Sequence, residues 1–93
     1  MLAIVARLRA VDGKGGELAE RMQDIAEKVR TEPGNHAYAV HQGQDDADLV
    51  MIYEQYDDQA ALDAHRAHMK EMGVDLRGLL AGKPELEYYS TAG

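Results

Sequence analysis

The chain has 93 residues, with 10 Lys and Arg against 17 Asp and Glu, so its formal charge is -7 with His neutral. This length predicts one domain spanning residues 1–93. The absence of Cys excludes disulfides, thiolate metal sites and Cys nucleophiles, and it fits a reducing, cytoplasmic location. The acidic balance argues against a nucleic-acid partner. No apolar run approaches the ~18 residues that a membrane span needs.

The first half of the chain predicts a strand, a helix and a second strand. Residues 2–9 are rich in Leu, Ile and Val, which is typical of a strand. In residues 17–31 the apolar side chains recur at helical spacing, and the Glu-Pro-Gly sequence at 32–34 ends that helix. Residues 36–42 predict the second strand, in which His36, Tyr38 and Val40 would share one face and the residues between them the other.

The second half predicts two more strands around a second helix. Residues 49–56 form the strongest strand pattern, and an Asp directly after it caps the next helix. A short helical piece is expected at 75–81, followed by a last strand at 84–91. The order β-α-β-β-α-β predicts an α+β, ferredoxin-like fold, with a four-stranded antiparallel sheet and both helices on one face.

Two helices cover only one face of such a sheet, so we expect the other, open face to need a partner. We assign Val5, Val50, Ile52 and Tyr56 to this open face, where they would form an apolar patch. Two chains that pack these faces together would form a homodimer with a small cavity beside each sheet. Cavities of this kind bind ligands.

Four residues are candidates for the chemistry of that cavity. Glu54 and Tyr56 would lie in it, and a partly buried Glu has either a raised pKa or a partner such as an Arg of the first strand. His65 lies on the apolar stripe of its helix and is either a packed core residue or a base. His41 lies beside two alanines, which leaves room for a ligand, or else ends its strand in solvent. His68 could join His65 and Glu54 around a metal ion, but two His at this spacing are a weak signal, and we predict no metal site.

Three segments together resemble the antibiotic biosynthesis monooxygenase family over nearly the whole chain. They are the Glu-Pro-Gly at 32–34 with the later Tyr38, the Tyr-Glu-Gln-Tyr at 53–56, and the Ala-Ala-Leu-Asp-Ala-His at 60–65 with the later His68. The resemblance implies a dimeric α+β barrel built from two ferredoxin-like chains. It also implies one of several activities, because family members oxidise quinols or polycyclic phenols without flavin, haem or metal, degrade haem, or isomerise small phosphorylated signals.

Two departures from the family pattern narrow the implied activity. The aromatic residue after the strand Glu is often Trp in the polyketide and haem-degrading members, and here it is Tyr56. The haem degraders also carry an Asn on the first strand, where this chain offers Ala6 or its neighbours. Haem degradation is therefore not expected.

The implied function is a monooxygenase that needs no cofactor and oxidises a quinol or polycyclic phenol with O₂. His65 or His41 would take the phenolic proton, and the Tyr56 hydroxyl would stabilise the resulting anion. Glu54 would orient the His or hold the substrate hydroxyl. One alternative is an isomerase or lyase that acts on a small keto compound with the same groups and no O₂. The other is a non-enzymatic dimer that binds a small aromatic or quinone-like molecule.

Overall fold

A computed structural model describes residues 1–93 and contains four strands and two helices. Their order is β1 (Leu2–Arg9), α1 (Gly15–Val29), β2 (Asn35–Gln42), β3 (Leu49–Tyr56), α2 (Gln59–Met72) and β4 (Glu85–Ser90). The strands form one antiparallel sheet in the order β2-β3-β1-β4. The predicted ferredoxin-like arrangement is therefore confirmed. No helix is long and apolar enough to cross a membrane.

The segment between α2 and β4 differs from the prediction. The short helix expected at 75–81 is absent, and the segment forms turns with one isolated bridge between Ala10 and Leu80. Gly73 and Gly78 both have positive φ angles, of 64° and 84°. Because a right-handed helix cannot continue through such residues, the apolar spacing in this segment does not produce a helix.

The face assignment made for β3 from the sequence is wrong. In the β1–β3 ladder Ile4 lies directly opposite Glu54, and directly opposed residues share a face of the sheet. Ile4 is buried on the side that α2 covers, so Val50, Ile52, Glu54 and Tyr56 also face the helices. Both faces of β3 are apolar, so its alternation could not reveal which of them the helices cover.

The open face instead carries the other half of each strand. Its central residues are Val5 on β1, Ala39 on β2 and Met51 and Tyr53 on β3, all half-buried. Two charged pairs flank this centre. Arg7 contacts Glu87, and Arg9 contacts Asp46. An apolar centre with a charged border therefore remains on the face that no helix covers.

The main core lies between α1 and the sheet. The buried stripe of α1 follows the predicted helical spacing and consists of Leu18, Met22, Ile25 and Val29. It packs against buried side chains of β1 and β3, including Leu8 and Ile52. This packing anchors α1 and fixes where the loop after it approaches α2.

The second helix contributes little apolar surface to the core. Its two buried residues, Leu62 and His65, are three positions apart and therefore share a face. The Asp58 side chain caps α2 by accepting a hydrogen bond from the Ala61 N–H at 2.9 Å. One turn of a capped helix thus holds an imidazole against the sheet.

Candidate active site

A cluster of ionisable side chains is buried between β3 and α2. Glu54 comes from β3, His65 from α2 and Glu32 from the loop between α1 and β2, and their side chains are only 8%, 9% and 11% exposed. Burying ionisable groups costs free energy unless they are hydrogen-bonded or paired. Buried groups of this kind are concentrated at functional sites, which makes this cluster the candidate active site.

The imidazole of His65 lies between the two carboxyl groups. Its Nδ1 is 3.1 Å from both carboxylate oxygens of Glu32, and its Nε2 is 3.7 Å from Oε1 of Glu54. Because a carboxylate only accepts hydrogen bonds, we assign the proton of the neutral ring to Nδ1. This tautomer leaves Nε2 able to accept a proton.

Glu32 also contacts His68, whose Nδ1 is 2.7 Å from Oε2 of Glu32. Both imidazoles thus direct Nδ1 at the same carboxylate. No group of three or more His, Asp or Glu side chains is arranged to hold a metal ion.

Burial shifts the protonation of the cluster toward neutral forms. It raises the pKa of Glu54 to about 7, although the Tyr56 hydroxyl donates a hydrogen bond to Oε1 at 2.7 Å and opposes that shift. Burial also lowers the pKa of His65, and this effect outweighs the opposing contact with Glu32. Near pH 7 a neutral imidazole therefore lies beside a carboxyl group that holds its proton more tightly than an ordinary Glu.

Two tyrosines hold the imidazole from the sheet side. The ring centroid of Tyr56 is 4.9 Å from that of His65, and the centroid of Tyr38 is 5.8 Å away. Burial raises the pKa of both phenols, so both remain hydrogen-bond donors at neutral pH. They restrict the orientation of the ring whose Nε2 is the available base.

The loop after α1 delivers Glu32 through a close approach to α2. The Asp57 N–H donates to the carbonyl of Gly34 at 3.0 Å. A Cβ atom at Gly34 would lie 2.4 Å from the Cβ of Ala61, closer than real Cβ atoms approach. Glycine at this position therefore lets the loop pack on the first turns of α2, near His65.

A cavity of about 220 Å³, which we call the inner cavity, adjoins the cluster. Its walls are mostly apolar and come from both helices and all four strands. The polar groups in its lining, apart from the Tyr88 hydroxyl at its rim, belong to Tyr38, Glu54, His65 and Arg66. An apolar cavity with a few converging polar groups is the usual form of a small-molecule site.

The structure brings three of the four predicted site residues together. Glu54 and His65 line the inner cavity, whereas Tyr56 is fully buried behind them and bonded to Glu54. His41 lies on the open face, exposed, with its Nδ1 3.1 Å from the carbonyl oxygen of Ala39. The sheet therefore separates His41 from the cluster, and the cavity that Glu54 and His65 line is on the helix side of the sheet.

Two members of the site were missed by the sequence interpretation. Tyr38 was not among the predicted site residues, and it is buried in the core while also lining the inner cavity. Glu32 was treated as part of a helix stop, yet it contacts His65. A signal for Glu32 existed, because an acidic residue just after a helix C-terminus is unfavourable next to the helix dipole and indicates a partner elsewhere.

Comparison with known proteins agrees with this architecture. A family model described as antibiotic biosynthesis monooxygenase matches residues 1–71. PA3566 from Pseudomonas aeruginosa has a similar structure, with a TM-score of 0.87 and 24% identity over 99% of this chain and 94% of that chain. Rv0793 from Mycobacterium tuberculosis gives a TM-score of 0.85 and 20% identity, covering 99% of this chain and 95% of that one. A structure named antibiotic biosynthesis monooxygenase gives a TM-score of 0.86 and 22% identity, covering 100% of both chains. No curated protein sequence matches.

Proposed function

Because the chain belongs to the antibiotic biosynthesis monooxygenase family, we propose that it oxidises a small quinol or phenol with O₂ and without a cofactor. The observation that carries this proposal is the environment of His65. Its Nε2 is available beside an apolar cavity, while its Nδ1 contacts Glu32 at 3.1 Å. That arrangement provides a base for a weakly acidic hydroxyl group.

The first proposed step is proton transfer from the substrate hydroxyl to Nε2 of His65. Glu32 would stabilise the resulting imidazolium by accepting its Nδ1 hydrogen bond, as the carboxylate of a His–acid pair does. Tyr38 and the protonated form of Glu54 line the same cavity and could donate hydrogen bonds to the phenolate oxygen. In this scheme Tyr56 acts through Glu54, because its hydroxyl is already engaged there.

The second proposed step is oxidation of the phenolate by O₂. The phenolate gives one electron to O₂, and the superoxide and the substrate radical combine to form a carbon–oxygen bond. Loss of the proton from that carbon and cleavage of the O–O bond then give a carbonyl group and water. The substrate supplies all four electrons, so a quinol and one O₂ yield one hydroxyquinone and one water.

The size of the inner cavity favours quinols over polycyclic phenols. An apolar cavity of roughly 150 Å³ accommodates benzene. The inner cavity, at about 220 Å³, therefore has room for a system of one or two rings with small substituents.

We also propose that two chains form a homodimer through the open face. The support is the apolar centre of that face, with Val5, Met51 and Tyr53, which no helix covers. The proposed site does not depend on this contact for its ionisable groups, since Glu32, Glu54 and His65 all belong to one chain.

Oxygen uptake with menadiol tests the proposed function. Protein treated with a chelator to remove metal ions should consume O₂ faster than menadiol does by autoxidation. One oxygen atom from ¹⁸O₂ should enter the product. We expect His65→Gln to lower the rate by about 10²-fold or more, the usual contribution of a general base. His41→Gln, which removes the other predicted base, should keep the rate because that ring lies on the opposite face.

Three outcomes would contradict the proposal. Unchanged turnover in His65→Gln would remove this residue from the mechanism. Oxidation without incorporation of ¹⁸O would indicate simple quinol oxidation, and turnover of a keto compound under anaerobic conditions would instead support the isomerase alternative.

A further inference from the structure

A second cavity meets the inner cavity at the side of the molecule. This outer cavity has a volume of about 390 Å³ and lies between β1, β4 and the start of α2. The two cavities share three lining residues, Leu62, Arg66 and Tyr88. These side chains therefore form the boundary between the outer cavity and the space beside His65.

One hydrogen bond joins α2 and β4 at this boundary. Nη2 of Arg66 donates to the Tyr88 hydroxyl at 3.3 Å, and the guanidinium carbon lies 5.9 Å from the centre of the tyrosine ring. No other hydrogen bond joins the two elements. At 3.3 Å the bond is longer than usual, and both residues are about half-exposed. The contact can therefore open without disturbing the core.

The guanidinium of Arg66 has hydrogen-bonding capacity to spare. Its nearest acidic group is Asp63 at 3.8 Å, an exposed pair one turn apart on the same helix, and such pairs contribute little. Arginine presents five donors in a planar fork that matches the two oxygens of a carboxylate. Gln59 and Ser90 add polar groups to the same outer cavity.

The location of this cation matters because the protein is acidic. With a net charge of -7, the chain repels anions in general, and a local cation is needed to attract one. Arg66 supplies that charge where an apolar cavity opens to solvent, within electrostatic reach of Glu54 and His65.

We propose that the outer cavity is a subsite for a carboxylate carried by the aromatic substrate, and that Arg66 binds this carboxylate on releasing Tyr88. The hydroxyl-bearing ring then occupies the inner cavity beside His65, so the inference rests on the proposed function for the placement of the ring. The substrate class is accordingly a hydroxyarene carboxylate of one or two rings.

Equilibrium binding of two matched probes tests this subsite. 6-Hydroxy-2-naphthoate and 2-naphthol differ in the carboxylate alone, and their fluorescence reports binding without O₂. We expect the naphthoate to bind the full chain about tenfold or more tightly than the naphthol, since charge-assisted bidentate bonds are strong. Arg66→Gln should remove this advantage by weakening naphthoate binding about tenfold more than naphthol binding, and Arg66→Lys should retain part of it. Arg77→Gln, at an exposed arginine outside both cavities, is the matched control and should retain all of it.

Equal affinities of the two probes for the unmodified protein would overturn the inference. A naphthoate advantage that persists in Arg66→Gln would also overturn it. So would an equal loss of affinity for both probes in Arg66→Gln and Arg66→Lys, because that result would make the role of Arg66 structural. Failure of the monooxygenase proposal would be seen separately, as an absence of oxygen uptake with probe binding intact.

Discussion

At the scale of single residues, Glu54 and His65 connect the proposed chemistry to stability. Burial favours the neutral form of each group, raising the pKa of the acid and lowering that of the base. Opposite shifts in neighbouring groups are how one site keeps a base and a proton donor together near neutral pH. The same shifts make the folded state sensitive to pH.

The Glu54→Gln variant should become more stable relative to the unmodified protein as pH rises. The Glu54 pKa of about 7 exceeds its ordinary 4.5, so between these values the folded state binds more protons than the unfolded state. Stability therefore falls as pH rises through this window, and above pH 7 the full ionisation penalty of about 3 kcal/mol is present. Gln keeps an acceptor for Tyr56 and carries no charge, so the variant avoids that penalty.

Urea unfolding at pH 4.5 and at pH 8 measures this effect. The difference in unfolding free energy between the variant and the unmodified protein should change by about 3 kcal/mol between the two pH values. The contribution of His65 to the unfolding free energy changes with pH in the opposite direction, because its lowered pKa adds stability as pH rises toward 6.5. That contribution is common to both proteins and cancels in the comparison. The exposed Glu71→Gln is the control, and a pH-independent difference for Glu54→Gln would show that Glu54 ionises normally.

At the scale of elements, the packing of the α1–β2 loop on α2 decides whether Glu32 reaches His65. The Gly34→Ala substitution should displace this loop, because the new Cβ would lie 2.4 Å from that of Ala61. We expect a loss of about 1–3 kcal/mol of unfolding free energy, typical of overpacking, together with reduced oxygen uptake. Thermal unfolding and the uptake assay measure the two effects.

A double-mutant cycle separates the steric effect from other causes. Adding Ala61→Gly removes the opposing methyl group, so the cost of Gly34→Ala should shrink in that background even though glycine in a helix costs about 1 kcal/mol by itself. Gly82→Ala is the control, because no atom lies within 4 Å of its would-be Cβ. Additive effects in the cycle would show that the loop does not rest on Ala61.

The four strands and the two long helices were predictable, whereas the face of β3 that the helices cover was not, and the helix expected at 75–81 does not form. The β1 and β3 ranges follow directly from dense apolar residues, and the stripe of α1 follows from helical spacing. The position of Glu54 did not follow, because β3 is apolar on both sides and only pairing with β1 shows which side the helices cover. The contact between Glu32 and His65 joins residues 33 positions apart, and no local pattern encodes such a distance.

At the scale of the whole molecule, the open face and the small size of the chain favour association. A chain of 93 residues buries only about two thirds or less of its unfolded surface, so covering one more sheet face adds substantially to its core. The apolar centre of the face is bordered by the pairs Arg7–Glu87 and Arg9–Asp46. Such a border limits how two sheets can be aligned, since a shifted register would place like charges together.

The Met51→Glu variant should be monomeric if the open face is the dimer contact. Met51 lies on that face directly opposite Arg7 of β1, whose guanidinium already contacts Glu87. A second carboxylate buried in the contact would therefore cost several kcal/mol in desolvation. Light scattering should give twice 10.3 kDa for the unmodified protein and 10.3 kDa for the variant.

Salt should strengthen the dimer, because it screens the repulsion between two chains of charge -7. Gln23→Glu adds the same charge on the exposed side of α1 and should leave the dimer intact. A dimeric Met51→Glu variant would place the dimer contact elsewhere. A monomeric unmodified protein would exclude the dimer.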